Sequence, residues 1–164
     1  MSRSRASSSR SAAPEVFLSH SSKDRAIARR VRGLLERHGV RVWYSEHTVT
    51  GAADWHREIG KALARCNWFV LLLSKSAAKS VWVNREYVYA LNSPRYKDRI
   101  VPVVVAAYDE RMIWAITGVQ RIDLRKQRGK DTQSLLGVWG KTYDGRGFAA
   151  RASKGVGAAQ VRKK

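Results

Sequence analysis

The chain has 164 residues, 44% of them hydrophobic and 27% charged, with a net charge of +19, a length that suits one domain with a core of its own. Its single cysteine, Cys66, excludes an internal disulfide and a multi-cysteine metal cluster within one chain, and a lone thiol suits a reducing compartment. Apolar runs such as WFVLLL from Trp68 are far too short to span a bilayer, and MSRSRASSSR has charge but no apolar stretch of a secretory signal, so a soluble, cytoplasmic protein with no membrane association is expected.

Residues 1–14 hold three arginines and no acid, and residues 125–164 hold eleven basic and two acidic residues. More than half of the excess charge therefore lies outside 15–124. The Ser, Gly, Ala and Arg content of 1–14 and 141–164 cannot bury enough surface to offset ordering entropy, which predicts disordered basic tails flanking a domain over 15–140. Such tails suit solubility or weak, nonspecific attraction to polyanions. No zinc-finger spacing or aromatic RNA-binding motif points to sequence-specific nucleic-acid recognition.

From Glu15 the elements alternate. EVFLSH is a short apolar strand, and Ser21 with Asp24 has the spacing of a capping box. Ile27, Val31, Leu34 and Leu35 share a helical face, and Gly39 ends that helix. Val40–Tyr44 is a second strand. The polar loop SEHTVTGAAD leads to Asp54, the expected cap of a helix with Trp55, Ile59 and Leu63 on one side. Trp68–Leu73 is continuously apolar, as in a strand buried on both faces of a parallel sheet. Ser80 is the expected cap of a helix to about Leu91, with Val83, Tyr87, Ala90 and Leu91 facing the core. Ile100–Val105 is a fourth strand, although its Pro102 removes a ladder donor. Gln120–Leu124 is a short fifth strand, and Thr132–Trp139 a last helix. This alternation predicts an α/β fold, an open parallel sheet with helices on both faces. Ligands of such sheets bind beyond the carboxyl ends of the strands, which singles out 19–23, 45–54 and 74–86.

Those segments carry a resemblance. EVFLSHSSKD, VWYSEHTVTGAADW and LLLSKSAAKSVWVNREYVYAL followed by RIVPVVV, in that order, resemble a TIR (Toll/interleukin-1 receptor) domain of the bacterial type over about residues 15–125. The resemblance implies a flavodoxin-like five-stranded sheet in the order 2-1-3-4-5. It also implies cleavage of NAD at the nicotinamide–ribose bond, as a signalling or defence activity switched on by self-assembly with other TIR domains into a homo-oligomer. NAD is then substrate, and no cofactor is needed. The alternative within the family is a non-catalytic TIR–TIR adaptor.

In catalytic members the essential acid lies in a W-x-x-x-E motif, here Trp82 to Glu86. Residues four apart are neighbours on a helix, so Trp82 and Glu86 are expected to project together while Val83, Tyr87 and Leu91 face the core. Loss of a cationic pyridinium needs no acid to protonate the leaving ring; it needs a carboxylate to hold the ribose and stabilise the charge left on it. The resemblance makes Glu86 the catalytic residue and Trp82 a dry wall. It gives substrate contacts to Trp55, Ser19, His20, Ser45 and Glu46, with Ser45 standing where the family often has Asp. Trp55 reads equally as a core anchor. His38, His47 and His56 lack zinc-like spacing, so no metal is expected. The absence of a glycine-rich loop after the first strand argues against a Rossmann dehydrogenase or P-loop enzyme. No acid pair marks a phosphoacceptor receiver domain.

Overall fold

The computed structural model describes residues 13–44 and 52–146. Five parallel strands, β1 (Glu15–Ser19), β2 (Arg41–Tyr44), β3 (Trp68–Leu73), β4 (Ile100–Val104) and β5 (Ile122–Asp123), form one sheet in the order β2-β1-β3-β4-β5. Helices α1 (Arg25–Arg37), α2 (Ala52–Arg65), α3 (Lys75–Ala78), α4 (Val81–Asn92) and α5 (Gly129–Gly137) connect and cover it. None of the described helices is long and apolar enough to cross a membrane.

Strand side chains alternate between two apolar layers, as the two-residue period requires. Val16, Leu18, Val70, Leu72 and Val103 pack under α1 and α5 through Ala28, Val31, Leu34, Leu135 and Leu136. Phe17, Phe69, Leu71 and Leu73 pack under α2 and α4 through Ile59, Ala62, Leu63, Val83, Tyr87 and Ala90. In this second layer Tyr96 is fully buried, with its hydroxyl donating to the Leu63 carbonyl at 2.6 Å. β3, the central strand, is buried at every position from Phe69 to Leu73, which accounts for its unbroken apolar run.

Local signals work out with some differences. Gly39 adopts φ +78° just beyond α1, and its N–H donates to Glu36 while Val40 closes onto Leu35; this left-handed stop is one that glycine enters without strain. Ser80 caps α4 by accepting from the Val83 N–H at 3.3 Å, and Ser74 caps α3 by accepting from Ala77 at 2.9 Å. Ser21 does not cap. A 3-10 turn over Ser22–Asp24 precedes α1, and the Ser21 hydroxyl donates to the Asp24 carboxylate at 2.6 Å. Asp54 lies inside the first turn of α2, ion-paired with Arg57, rather than ahead of it.

Pro102 sits within β4 because its missing donor faces an open edge. Arg99 accepts from Phe69 and Val105 donates to Leu73, so odd-numbered residues turn toward β3, whereas Val104 accepts from Leu124 on the β5 side. Pro102 shares the parity of Val104. β5 begins opposite Val103, so a donor at position 102 would point past its end.

Residues 141–146, assigned to the tail by composition, are tied to the domain. Gln133 donates to the Lys141 carbonyl at 3.0 Å and accepts from the Tyr143 N–H at 2.8 Å, and Asp144 lies 3.5 Å from His38 Nε2. The tails beyond, 1–12 and 147–164, lie outside the described residues.

Candidate active site

The carboxyl end of β1, the loop and first residue of α1 that follow it, α2 and the first half of α4 enclose a cleft of about 290 Å³ lined by Leu18, His20, Ser22, Arg25, Trp55, Ser80, Trp82 and Glu86. Glu86 is its buried charged group, 6% exposed. The sequence pattern set Trp82 and Glu86 apart from the core face, but Val83, Glu86, Tyr87 and Ala90 are buried together. Positions 83, 86, 87 and 90 recur at three- and four-residue spacing and form one stripe. The carboxylate therefore enters the apolar layer at the end of β1 instead of riding the outside of the helix.

Ser19, the last residue of β1, donates its hydroxyl to Glu86 Oε2 at 2.6 Å across 67 residues of sequence. Among the described residues no lysine, arginine or histidine lies within ion-pair distance of Glu86. Burial pushes its carboxyl up to about 7, against a smaller downward pull from the Ser19 hydrogen bond; desolvation of a charge with no cationic partner works in that direction.

The outer wall is aromatic. The Trp55 ring meets Trp82 edge-on with centroids 4.4 Å apart, His56 lies 4.6 Å from Trp82, and the Arg85 guanidinium sits 5.1 Å over the Trp82 ring. Trp55 fills both of its expected places, packing on the α2–α4 layer and lining the cleft. His20 is buried beside the Tyr44 ring, with its Nδ1 3.4 Å from the Leu18 carbonyl. The structure thus brings Ser19, His20, Trp55, Trp82 and Glu86 together. Ser45 and Glu46 lie outside the described residues.

Ser22 and Ser80 fall within the strand-end segments 19–23 and 74–86 singled out by the sequence, though neither was named as a site residue, and sequence reasoning missed Arg25 as a cleft residue. Arg25 is half-buried at the start of α1, and its Nε has no hydrogen-bond partner among the described residues. In a chain with 32 basic residues its charge drew no notice; its signal was the position, six residues past the end of a strand. The loop carrying it is anchored from below, because Asp24 accepts from both Ser21 and Ser74, at 2.6 and 2.5 Å. That contact ties the β1–α1 loop to the end of β3. Cys66, by contrast, is buried away from the cleft, and burial pushes its thiol up to about 12, which leaves it protonated and unreactive.

This sheet order defines an open α/β protein, and the candidate site, with its buried carboxylate, lies beyond the carboxyl end of β1, beside the switch between β1 and β3 where ligands of such sheets bind. The chain belongs to the TIR domain family, whose model matches residues 16–136. It is 28% identical over 91 residues to "Probable 2' cyclic ADP-D-ribose synthase TcpO" of Methanobrevibacter olleyae, covering 55% of this chain and 27% of the relative. It is 28% identical over 92 residues to the NAD(+) hydrolase TcpC of Escherichia coli O6:H1, covering 54% and 30%. It is 30% identical over 73 residues to the NAD(+) hydrolase TcpA of a Theionarchaea archaeon, covering 44% and 22%. The chain thus matches less than a third of the length of each of these relatives. In fold it is similar to the TIR domains of the activated Roq1 resistosome that directly recognises the pathogen effector XopQ, with a TM-score of 0.58 and 19% identity over 77% of this chain and 99% of that one.

Proposed function

We propose that this domain cleaves NAD at the nicotinamide–ribose bond with Glu86 as the catalytic carboxylate, and that assembly with further copies switches the reaction on. The observation that carries the reading is the burial of Glu86, held by one hydroxyl and no cation, in a cleft walled by two tryptophans. The names of the TIR relatives, two NAD(+) hydrolases and a "Probable 2' cyclic ADP-D-ribose synthase", support it.

In the reaction the bond between ribose C1′ and the pyridinium nitrogen breaks, and its electron pair neutralises the ring. Water oxygen, or a hydroxyl of the same molecule in cyclisation, bonds to C1′ and releases its proton. Positive charge grows on the ribose while the leaving group becomes neutral, so the protein's task is to set a negative group beside C1′ and the ribose hydroxyls. Ionised Glu86 does this in a poorly hydrated cleft, where its charge acts more strongly than in water. Ser19 holds one carboxylate oxygen and leaves the other for the ribose. Trp82 and Trp55 keep water from the outer side. Because the carboxyl titrates near 7 in the free protein, kcat/KM rises with pH through that range.

Assembly belongs to the same reading. The solved TIR neighbour is part of a resistosome, and Trp114, Val81 and Val88 are 75%, 61% and 54% exposed, apolar surface available for a second copy. The test is NAD consumption by the full chain over a range of protein concentrations, beside Glu86→Ala. The expected outcome is turnover that climbs more steeply than protein concentration and falls at least about a thousandfold in the variant. Equal consumption by both proteins would remove Glu86 from the chemistry.

A further inference from the structure

A second cleft, of about 330 Å³, adjoins the first and shares Ser22 and Ser80 as a common wall. Lys23 enters it from the β1–α1 loop, and Lys75 and Lys79 from the two ends of α3; the remaining lining residues are serines, and no carboxylate faces it. None of the three lysines forms an ion pair among the described residues. Some exposed cations elsewhere on the domain are matched locally, Arg57 with Asp54, Lys61 with Glu58, Arg111 with Asp109 and Arg125 with Asp123, and others, such as Lys97 and Lys126, form no ion pair among the described residues; Lys23, Lys75 and Lys79 differ in facing one shared cleft. Asp24, the acid nearest in sequence to Lys23, is turned to the Ser21 and Ser74 hydroxyls and does not line the cleft. On the shared side, Arg25 holds a buried Nε with no partner among the described residues.

Three unmatched ammonium groups among hydroxyl donors, continued by a guanidinium, are the chemistry of a phosphate site: point charges for affinity, with hydroxyls to hold the oxygens. We propose that Lys23, Lys75 and Lys79 form an anion subsite that seats a phosphate of the nucleotide whose ribose lies against Glu86, with Arg25 between the two clefts. The proposal rests on the reading of the Glu86 cleft as a nucleotide site. A dinucleotide supplies such a group from two sources, the diphosphate bridge common to NAD and NADP or the 2′-phosphate that only NADP carries.

The experiment is calorimetric titration of the full chain and of Lys75→Ala/Lys79→Ala with ADP-ribose and with 2′-phospho-ADP-ribose, in low and moderate salt. Both lysines are exposed, so the variant keeps the core, and its thermal midpoint serves as the check. The expected result is that the variant binds about five- to tenfold more weakly, with a smaller loss of affinity on adding salt. Weakening toward both ligands assigns the diphosphate. Weakening toward 2′-phospho-ADP-ribose alone assigns the 2′-phosphate. No binding by the unmodified chain, or equal affinities in both proteins, overturns the subsite. Binding does not depend on turnover, so the two readings separate. Glu86-dependent NAD cleavage with an unchanged KM in the lysine variant sinks the subsite alone, and lysine-dependent binding without any cleavage sinks the catalytic role alone.

Discussion

Two glutamates lie at opposite ends of the central strands and have opposite surroundings. Glu15 opens β1 at the amino end of the sheet, where Arg65 reaches it at 2.8 Å and Arg41 at 3.8 Å, and where its backbone N–H donates to Asn67. Glu86 lies beyond the carboxyl end of the same strand, with the Ser19 hydroxyl and apolar walls. Both are largely buried, and only one has cations. A carboxylate with two guanidinium partners is neutralised and serves as a clamp between strands and helix. A carboxylate desolvated and given a single hydroxyl keeps an unmet demand for positive charge, which an oxocarbenium-like ribose can supply.

The largest effect that would break this contrast is on stability. The folded carboxyl of Glu86 titrates near 7, above its ordinary value. Between the ordinary carboxylate range and 7 the native state therefore keeps a proton that the unfolded chain has released, so stability falls as pH rises through that window and stays lower above it. Glu86→Gln has no proton to lose and keeps a partner for Ser19. At pH 8 it is expected to be more stable than the parent by about 2–3 kcal/mol, with the gap closing near pH 5. Denaturant unfolding at both values measures this, and a gap independent of pH would show that Glu86 is not desolvated.

Ser19→Ala sharpens the contrast on the activity side. It removes the hydrogen bond that holds the Glu86 carboxyl down, so the rising limb of kcat/KM should move to higher pH and the rate at neutral pH should fall severalfold. The stability loss should be about 1 kcal/mol below pH 6. A limb that stays in place would assign it to another group. The smallest effect belongs to the clamp: Glu15→Gln should lower stability by less than about 1 kcal/mol, because both arginines are more than half exposed, and should leave the pH–rate profile unmoved. A change in that profile would mean that the two ends of β1 are coupled.

Much of the fold was legible in the residues. The run Trp68–Leu73 is β3 residue for residue, Gly39 marks the end of α1, and Ser80 stands one residue ahead of α4. These are local matters, since strand burial, helix stops and caps depend on neighbours within a few positions. β5 is shorter than its apolar pattern, two residues in place of five, because only Val103 and Val104 offer it a pairing edge. The fifth helix begins three residues earlier than its apolar spacing, at Gly129, where the Asp131 carboxylate accepts from the Arg128 backbone N–H at 3.3 Å and from its guanidinium at 3.0 Å, closing the first turn.

The site was legible in its members and not in its geometry. The spacing of Trp82 and Glu86 marked both residues, but whether Glu86 met water or the core depended on the rotation of α4 over β1, set by Val83, Tyr87 and Ala90 packing onto Phe17 and Leu71. The lysine cleft was invisible because Lys23 and Lys75 are 52 residues apart and each looks like an ordinary surface charge; the β1–β3 pairing and the Asp24 link to Ser74 bring their loops together. The sequence by itself determined the order of elements, the two apolar layers and the chemical types at the strand ends, since these follow from periodicity and local turns. The tertiary structure alone decided which carboxylate is clamped and which is left without a cation, because burial and ion pairing depend on groups far apart in the chain and meet only once the sheet has formed.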